Sequence, residues 1–137
     1  MSEDLPAEFK RLARNLIETF NRDLNVSLAY DETSLEYLDG YIARNREVIR
    51  GRTGTQPSGI VNTIGAFLGE CIIANYGGQW KQSDNGAWGV YFENTSAAFP
   101  FAKVQKAFSE DSQSDSIASF YRVSKLFQEG KMDKTLL

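Results

Sequence analysis

The sequence predicts a single α+β domain, with helices packed around a small antiparallel β-hairpin or three-stranded meander. Three observations carry that expectation. Apolar residues recur at helical spacing before residue 76 and again after residue 100. Asn85-Gly86, the favoured pair for a two-residue type I′ turn, stands between two aromatic-rich runs. No internal repeat, heptad run or linker divides the 137 residues, a length at which roughly two thirds of the unfolded surface becomes buried.

The first helix is expected to start near Leu5-Pro6, with Asp4 as the cap and Pro6 in the first turn, where its missing N–H does no harm. Phe9, Leu12, Ala13, Leu16, Ile17 and Phe20 form one apolar stripe, and Lys10, Arg11, Arg14, Asn15 and Glu18 form a solvated face. Leu24, Val26, Leu28 and Tyr30 then alternate with Asn25, Ser27 and Ala29, the period of a short edge strand.

Asp31 to Ser34 supplies the cap of a second helix, with Thr33 and Glu36 at capping-box spacing. Leu35, Leu38, Ile42 and Ile49 line its inner face beside Tyr37 and Tyr41, and Gly40 permits close packing. Its C-terminal end gathers Arg44, Arg46, Arg50 and Arg52, which complement the helix dipole by ~0.3–1 kcal/mol each at exposed positions. The alternative for this cluster is an anion or acidic-partner site completed by the loop between Gly51 and Gly59, which lacks the Gly-Lys-Ser/Thr ending of a P-loop.

The third helix, Gly59 to Asn75 with Ser58 as its cap, is the expected hub. Between Thr53 and Trp80 the only Asp, Glu, Lys or Arg is Glu70, so nearly the whole circumference of this helix asks to be covered. Gly65 and Gly69 form a groove that admits another backbone or an aromatic ring. A buried, unpaired Glu70 would be costly, so it either pairs, with Arg44 or Arg46 for example, or lines a pocket beside the hairpin. Cys71, the single cysteine, reads as a small buried hydrophobe.

Gly77-Gly78 ends the hub, and the type I′ turn sets Ser83 opposite Trp88, Lys81 opposite Val90 and Trp80 opposite Tyr91. In that register Trp88, Val90 and Phe92 share the core face, while Trp80 and Tyr91 share the other, as core or as a docking surface. Ala97-Ala98-Phe99 returns as a third strand, which Pro100 must end. Phe101, Val104 and Phe108 mark a short helix, and Ile117, Phe120, Tyr121, Ser124 and Phe127 mark a last one, capped near Ser114. From Glu129 onward the chain reads as a frayed tail.

Several chemistries fall away on composition. Histidine is absent, which excludes Ser-His-Asp, Cys-His and His-based zinc sites. A net charge of −3 argues against broad binding to nucleic acid or an anionic membrane. The acidic start Met1-Ser2-Glu3-Asp4 lacks the basic flank of a secretory signal, and no run suits a membrane span, so a cytoplasmic protein is expected.

One set of blocks is distinctive: Tyr30-Asp31 with Ser34-Leu35-Glu36-Tyr37-Leu38-Asp39, Gly65-Ala66-Phe67-Leu68-Gly69-Glu70, Gly77-Gly78-Gln79-Trp80, Trp88-Gly89, and Phe99-Pro100-Phe101 with Lys103-Val104. Over about residues 28–127 these blocks resemble a family of small bacterial proteins of unknown function. The resemblance implies a bacterial cytosolic setting and no established reaction, and it draws attention to Glu70, Trp80, Trp88 and Lys103. By analogy, some small acidic bacterial proteins are immunity partners that neutralise toxins.

The expectation is therefore a non-enzymatic domain that binds a protein partner or a second copy of itself, with no catalytic residues, cofactor or metal and with no nucleic-acid or membrane partner. Its candidate binding residues are Glu70, Trp80, Tyr91, Arg44, Arg46 and Lys103. The alternative is a small-ligand or carboxylate-dependent enzymatic site centred on Glu70, with Arg44 or Arg46, Asn75, Trp80 and Lys103 as neighbours.

Overall fold

The computed structural model describes residues 4–53, 58–109 and 116–130. Helices α1 (Leu5–Leu24), α2 (Glu32–Thr53) and α3 (Ser58–Tyr76) precede strands β1 (Gln79–Gln82), β2 (Trp88–Tyr91) and β3 (Ala97–Ala98), and helices α4 (Pro100–Ser109) and α5 (Ile117–Gln128) follow. This is the expected α+β domain, with helices around a three-stranded antiparallel meander. The side chains of Ile49, Arg50 and Arg52, the Ser58 cap, the loop 54–57, Ser114 and the tail from Lys131 lie outside the described residues.

Helix α1 begins where its cap dictates, since an Asp4 carboxylate oxygen accepts the Ala7 N–H at 3.2 Å. Phe9, Ala13, Leu16 and Phe20 are buried, and the helix packs on α3. It also runs further than the alternating pattern suggests. Leu24, expected in an extended strand, is the last helical residue and is 48% exposed. Residues 25–30 form no strand, because their backbone groups are taken locally: Val26 N–H bonds to Phe20 O, Ala29 N–H to Ser34 Oγ and Asp31 N–H to Ala29 O. Only Leu28 of that stretch is buried.

The cap of α2 is likewise displaced. Asp31, not Thr33, accepts the Ser34 N–H (2.9 Å) and, through its carbonyl, the Leu35 N–H (3.3 Å). Leu35, Leu38 and Ile42 are buried as expected. A Cβ at Gly40 would meet the Arg44 guanidinium of the same helix, so this glycine seats a side chain of its own helix and no neighbouring helix.

Helix α3 is the hub, packed by α1, α4, α5 and β2, with Val61, Ile64, Ala66, Phe67, Leu68, Cys71 and Ile72 buried. Its glycine notches each hold an aromatic ring. A Cβ on Gly65 would lie 2.5 Å from Phe101 Cδ1, and one on Gly69 would lie 2.2 Å from two ring carbons of Trp80. No helix among the described residues is long and apolar enough to cross a membrane.

The sheet order is β1-β2-β3, and its first register departs from the expected one. Trp80 pairs with Val90, Lys81 with Gly89 and Gln82 with Trp88, one residue out of step with a type I′ hairpin. The cause is the turn. Gly86 N–H bonds to Ser83 O at 2.9 Å, Ser83 N–H bonds to Ala87 O at 2.7 Å, and Gly86 has φ +91 whereas Asn85 does not have positive φ. That is a three-residue loop, a type I turn closed by a left-handed glycine, where type I′ needs positive φ at both central residues. Asn85 Oδ1 accepts from Ser83 Oγ and from Ala87 N–H, and so braces the longer loop.

A one-residue slip exchanges faces. Trp80, assigned above to the face of Tyr91, joins Trp88, Val90 and Phe92 on the face turned to the core, and Tyr91 shares the outer face with Lys81. Val90 pairs with Ala98 and Tyr91 with Ala97, after which Pro100 opens α4 at a position that needs no N–H.

The last helix is held at both ends from elsewhere in the chain. Ser116 caps α5 by accepting the Ser119 N–H, and Asp39 of α2 accepts from Ile117 N–H (2.8 Å), Ala118 N–H (3.1 Å) and Ser116 Oγ (2.7 Å). At the other end the Phe127 carbonyl accepts from Asn94 Nδ2 (2.7 Å) and Ser96 Oγ (2.9 Å), both in the β2–β3 turn. Between them Ile117, Ala118, Tyr121, Ser124 and Phe127 are buried, and Phe120 is half-buried.

Candidate functional site

Among the described residues, two places stand out for the chemistry-bearing side chains they bring together. The first is under the hairpin, where Trp80 lies in the Gly69 notch and donates its indole N–H to Glu70 Oε2 at 2.8 Å. Glu70 is 8% exposed and Trp80 7%, so this bond is buried. The Trp80 ring also meets Phe9 (centroids 4.7 Å apart) and Phe101 (5.5 Å). Glu70 thereby fastens the hairpin to the hub.

The groups around Glu70 respond to burial and charge. Burial, and then the Glu70 carboxylate, push the Tyr30 phenol above its usual range, against the pull of Arg14. Burial, with Asp31 and Glu70, pushes the Cys71 thiol well up, so it stays protonated and fills space in the core. Replacing Glu70 by alanine leaves the indole N–H without an acceptor and is expected to cost about 1–3 kcal/mol, whereas Glu70→Gln retains an oxygen and costs less. Urea denaturation of the two variants measures this. Equal losses would mean that the hydrogen bond contributes nothing.

The residues expected near Glu70 are mostly elsewhere. Arg46 donates to the Ala107 carbonyl near the end of α4 (2.9 Å), Arg44 lies over the Tyr37 ring (5.6 Å), and Asn75 donates to Tyr30 O and Cys71 O. Lys103 is half-buried on α4. Of that set, the structure joins only Trp80 to Glu70 by a hydrogen bond.

The second place is an open cleft of about 920 Å³ between the β1–β2 hairpin and α4. Its walls are Trp88, Tyr91, Phe99 and Phe101, and its rim carries Lys81, Asp84, Asn85 and Gln105. The cleft exists because the hairpin overhangs: β1 and β2 pair over four residues, while β3 reaches only Val90 and Tyr91. Beyond β3 the chain turns into α4, and the Phe99 ring covers Gly89, where a Cβ would lie 2.8 Å from Phe99 Cε1. Phe99 meets Tyr91 edge-on at 6.1 Å, Trp88 meets Phe9 edge-on at 5.6 Å, and Phe101 is seated in the Gly65 notch. Trp88, Phe99 and Phe101 are thus set in place by Phe9, Gly89 and the Gly65 notch, and Tyr91 by Phe99.

Tyr91 alone of the expected binding residues lines this cleft; Glu70, Trp80, Arg44, Arg46 and Lys103 do not. The sequence reading places Trp88 in the core, where it is only half-buried, and assigns no role in binding to Lys81, Phe99, Ala102 or Gln105. The signal that points to them is Pro100, which stops β3 short of the hairpin tip. No family model matches the chain, and no curated protein or solved structure matches it.

Proposed function

We propose that this chain is a non-enzymatic protein-binding domain whose partner docks in the cleft between the β1–β2 hairpin and α4. The observation that carries this reading is the cleft itself: four aromatic rings fixed around an open space, with a polar rim. Apolar centres with polar margins are the anatomy of protein interfaces, and Trp and Tyr are enriched among the residues that dominate their binding energy. In the bacterial cytosolic setting that the resemblance implies, the domain acts as an immunity or accessory protein, which masks or escorts its partner by occupancy alone.

Ala102 provides the test, because it lines the cleft yet is exposed on α4. Ala102→Arg fills the space with a long side chain at a helical surface position, where substitutions move stability by about 0.5 kcal/mol or less. The variant is expected to fold normally and to lose, by at least ~10-fold, the partner that the unaltered chain captures from native lysate at fixed stoichiometry. Undiminished capture of that partner by Ala102→Arg sinks the proposal.

A further inference from the structure

Of the chain's asparagines, only Asn85 precedes a glycine. The pairing matters chemically: the main-chain nitrogen after an asparagine is within reach of that residue's side-chain Cγ, and a glycine there brings no Cβ to crowd the approach. Asn85 and Gly86 are both exposed at the tip of the β1–β2 hairpin, on the rim of the cleft. Among the described residues, and chain neighbours apart, Gln82 Nε2 at 3.9 Å is the one atom within 4 Å of a Cβ built on Gly86. The Gly86 N–H bonds to Ser83 O at 2.9 Å, but that bond lies in the peptide plane and leaves the faces of the nitrogen open. The side-chain carbonyl is the other half of the reaction. Asn85 Oδ1 accepts from the Ser83 hydroxyl and from the Ala87 N–H (3.1 Å), so two donors already stand where negative charge collects when a nucleophile adds to Cγ.

We infer that Asn85 is a self-modifying site on the cleft rim: assisted by the Ser83 and Ala87 donors and with water as co-reactant, it converts in the folded chain to aspartate and isoaspartate, and the conversion shuts out the partner that the unmodified cleft binds. Gly86 N gives its proton to hydroxide and forms a bond to Asn85 Cγ. The Cγ–Nδ2 bond breaks, and Nδ2 takes a proton from water and leaves as ammonia. Water then opens the cyclic imide. Opening at Cγ restores the ordinary main chain with an aspartate, whereas opening at the Asn85 carbonyl carbon gives isoaspartate, whose main chain runs through Cβ and Cγ. Either product alters the rim. Its lining charges are balanced in the unmodified chain, Lys81 against Asp84, and a carboxylate at Asn85 sets two acids against one base. A partner fitted to the balanced rim then meets an unpaired negative charge. The extra main-chain atom of isoaspartate also spoils a three-residue loop closed by Ser83 N–H to Ala87 O at 2.7 Å. The loss of the partner, though not the chemistry at Asn85, rests on the cleft being the binding site.

Peptide mapping tests the chemistry. The full chain is kept folded in neutral and in mildly alkaline buffer, then digested, and its asparagines are followed by mass, with isoaspartate separated from aspartate by chromatography. Asn85 is expected to convert at least ~10-fold faster than any other asparagine, and faster at the higher pH, where hydroxide takes the Gly86 proton more readily. Ser83→Ala removes one donor to Oδ1 and is expected to slow the conversion at least ~3-fold. Conversion of Asn85 no faster than that of the other asparagines overturns the site. Conversion of Ser83→Ala as fast as the unaltered chain, or faster, overturns the part given to the two donors. Docking is read separately, with a partly converted preparation of the full chain offered to native lysate in which the captured partner is limiting. The partner-bound fraction is expected to be enriched at least ~10-fold in unmodified Asn85 over the unbound fraction. Equal proportions in the two fractions overturn the switch and leave the chemistry standing. A fresh chain that captures no partner overturns docking in the cleft, and the switch with it, while the masses still decide what happens at Asn85.

Discussion

Replacing Gly69 by alanine is expected to lower the unfolding free energy by about 2 kcal/mol, although the same change in an exposed helix interior raises it by about 1 kcal/mol. The sign reverses because of what stands in the notch. The new Cβ would lie 2.2 Å from two carbons of the Trp80 ring and 3.3 Å from the Pro100 ring. Indole is rigid, and Trp80 is pinned by Phe9 and Phe101 and by its bond to Glu70, so relief requires moving the hairpin off the hub. Overpacking of this kind typically costs about 1–3 kcal/mol, and losing the buried hydrogen bond adds roughly 1 kcal/mol. Gly59, on the same helix, is the control: among the described residues, nothing but its chain neighbours and its own helix backbone comes within 4 Å of its Cβ position, and Gly59→Ala should leave stability unchanged or raise it by up to ~1 kcal/mol. Urea denaturation of both variants decides the matter. A Gly69→Ala protein as stable as the unaltered chain would mean that Trp80 does not occupy the notch.

Asp39→Ala is expected to cost about 3 kcal/mol, which for a domain of this size lowers the melting temperature by ~10 °C. Two backbone N–H groups of the first turn of α5 and the hydroxyl of its own cap converge on this one carboxylate. Removing it strips the helix N-terminus of an anion that the helix dipole favours and loosens the seam between α2 and α5. Asp39→Asn keeps one acceptor oxygen and should lose about half as much. Differential scanning calorimetry separates the two variants, and a shift below ~2 °C for Asp39→Ala would show that water replaces the carboxylate without cost.

Most of the fold can be read from the sequence because its helices carry long apolar stripes, and a stripe leaves little choice of inward face. The uncharged circumference of α3, and two glycines that accept rings, follow from the same logic. The failures are local, where two solutions of similar energy compete. Alternation at Leu24–Tyr30 fits a strand, but the cap of α2 claims the backbone first. Asn85-Gly86 suits a two-residue turn, yet the same glycine closes a three-residue one when Ser83 and Asn85 brace it. That single residue of loop moves Trp80 across the sheet. The cleft is a product of strand lengths and of where Pro100 falls, so no run of residues spells it out. Asp39 is hidden for a similar reason: it sits on α2, and its partners are 77 to 79 positions away.

A helix ordinarily loosens from its ends, and a short one does so early. Helix α5 has only 12 residues, but its first turn is tied to Asp39 and its last carbonyls to Asn94 and Ser96, more than thirty positions back. Neither end can unwind without first separating from α2 or from the sheet. The kinetic consequence is that α5 has little helical life of its own: it must wait for distant parts of the chain to arrive, forms in step with them, and comes apart only when the whole domain does.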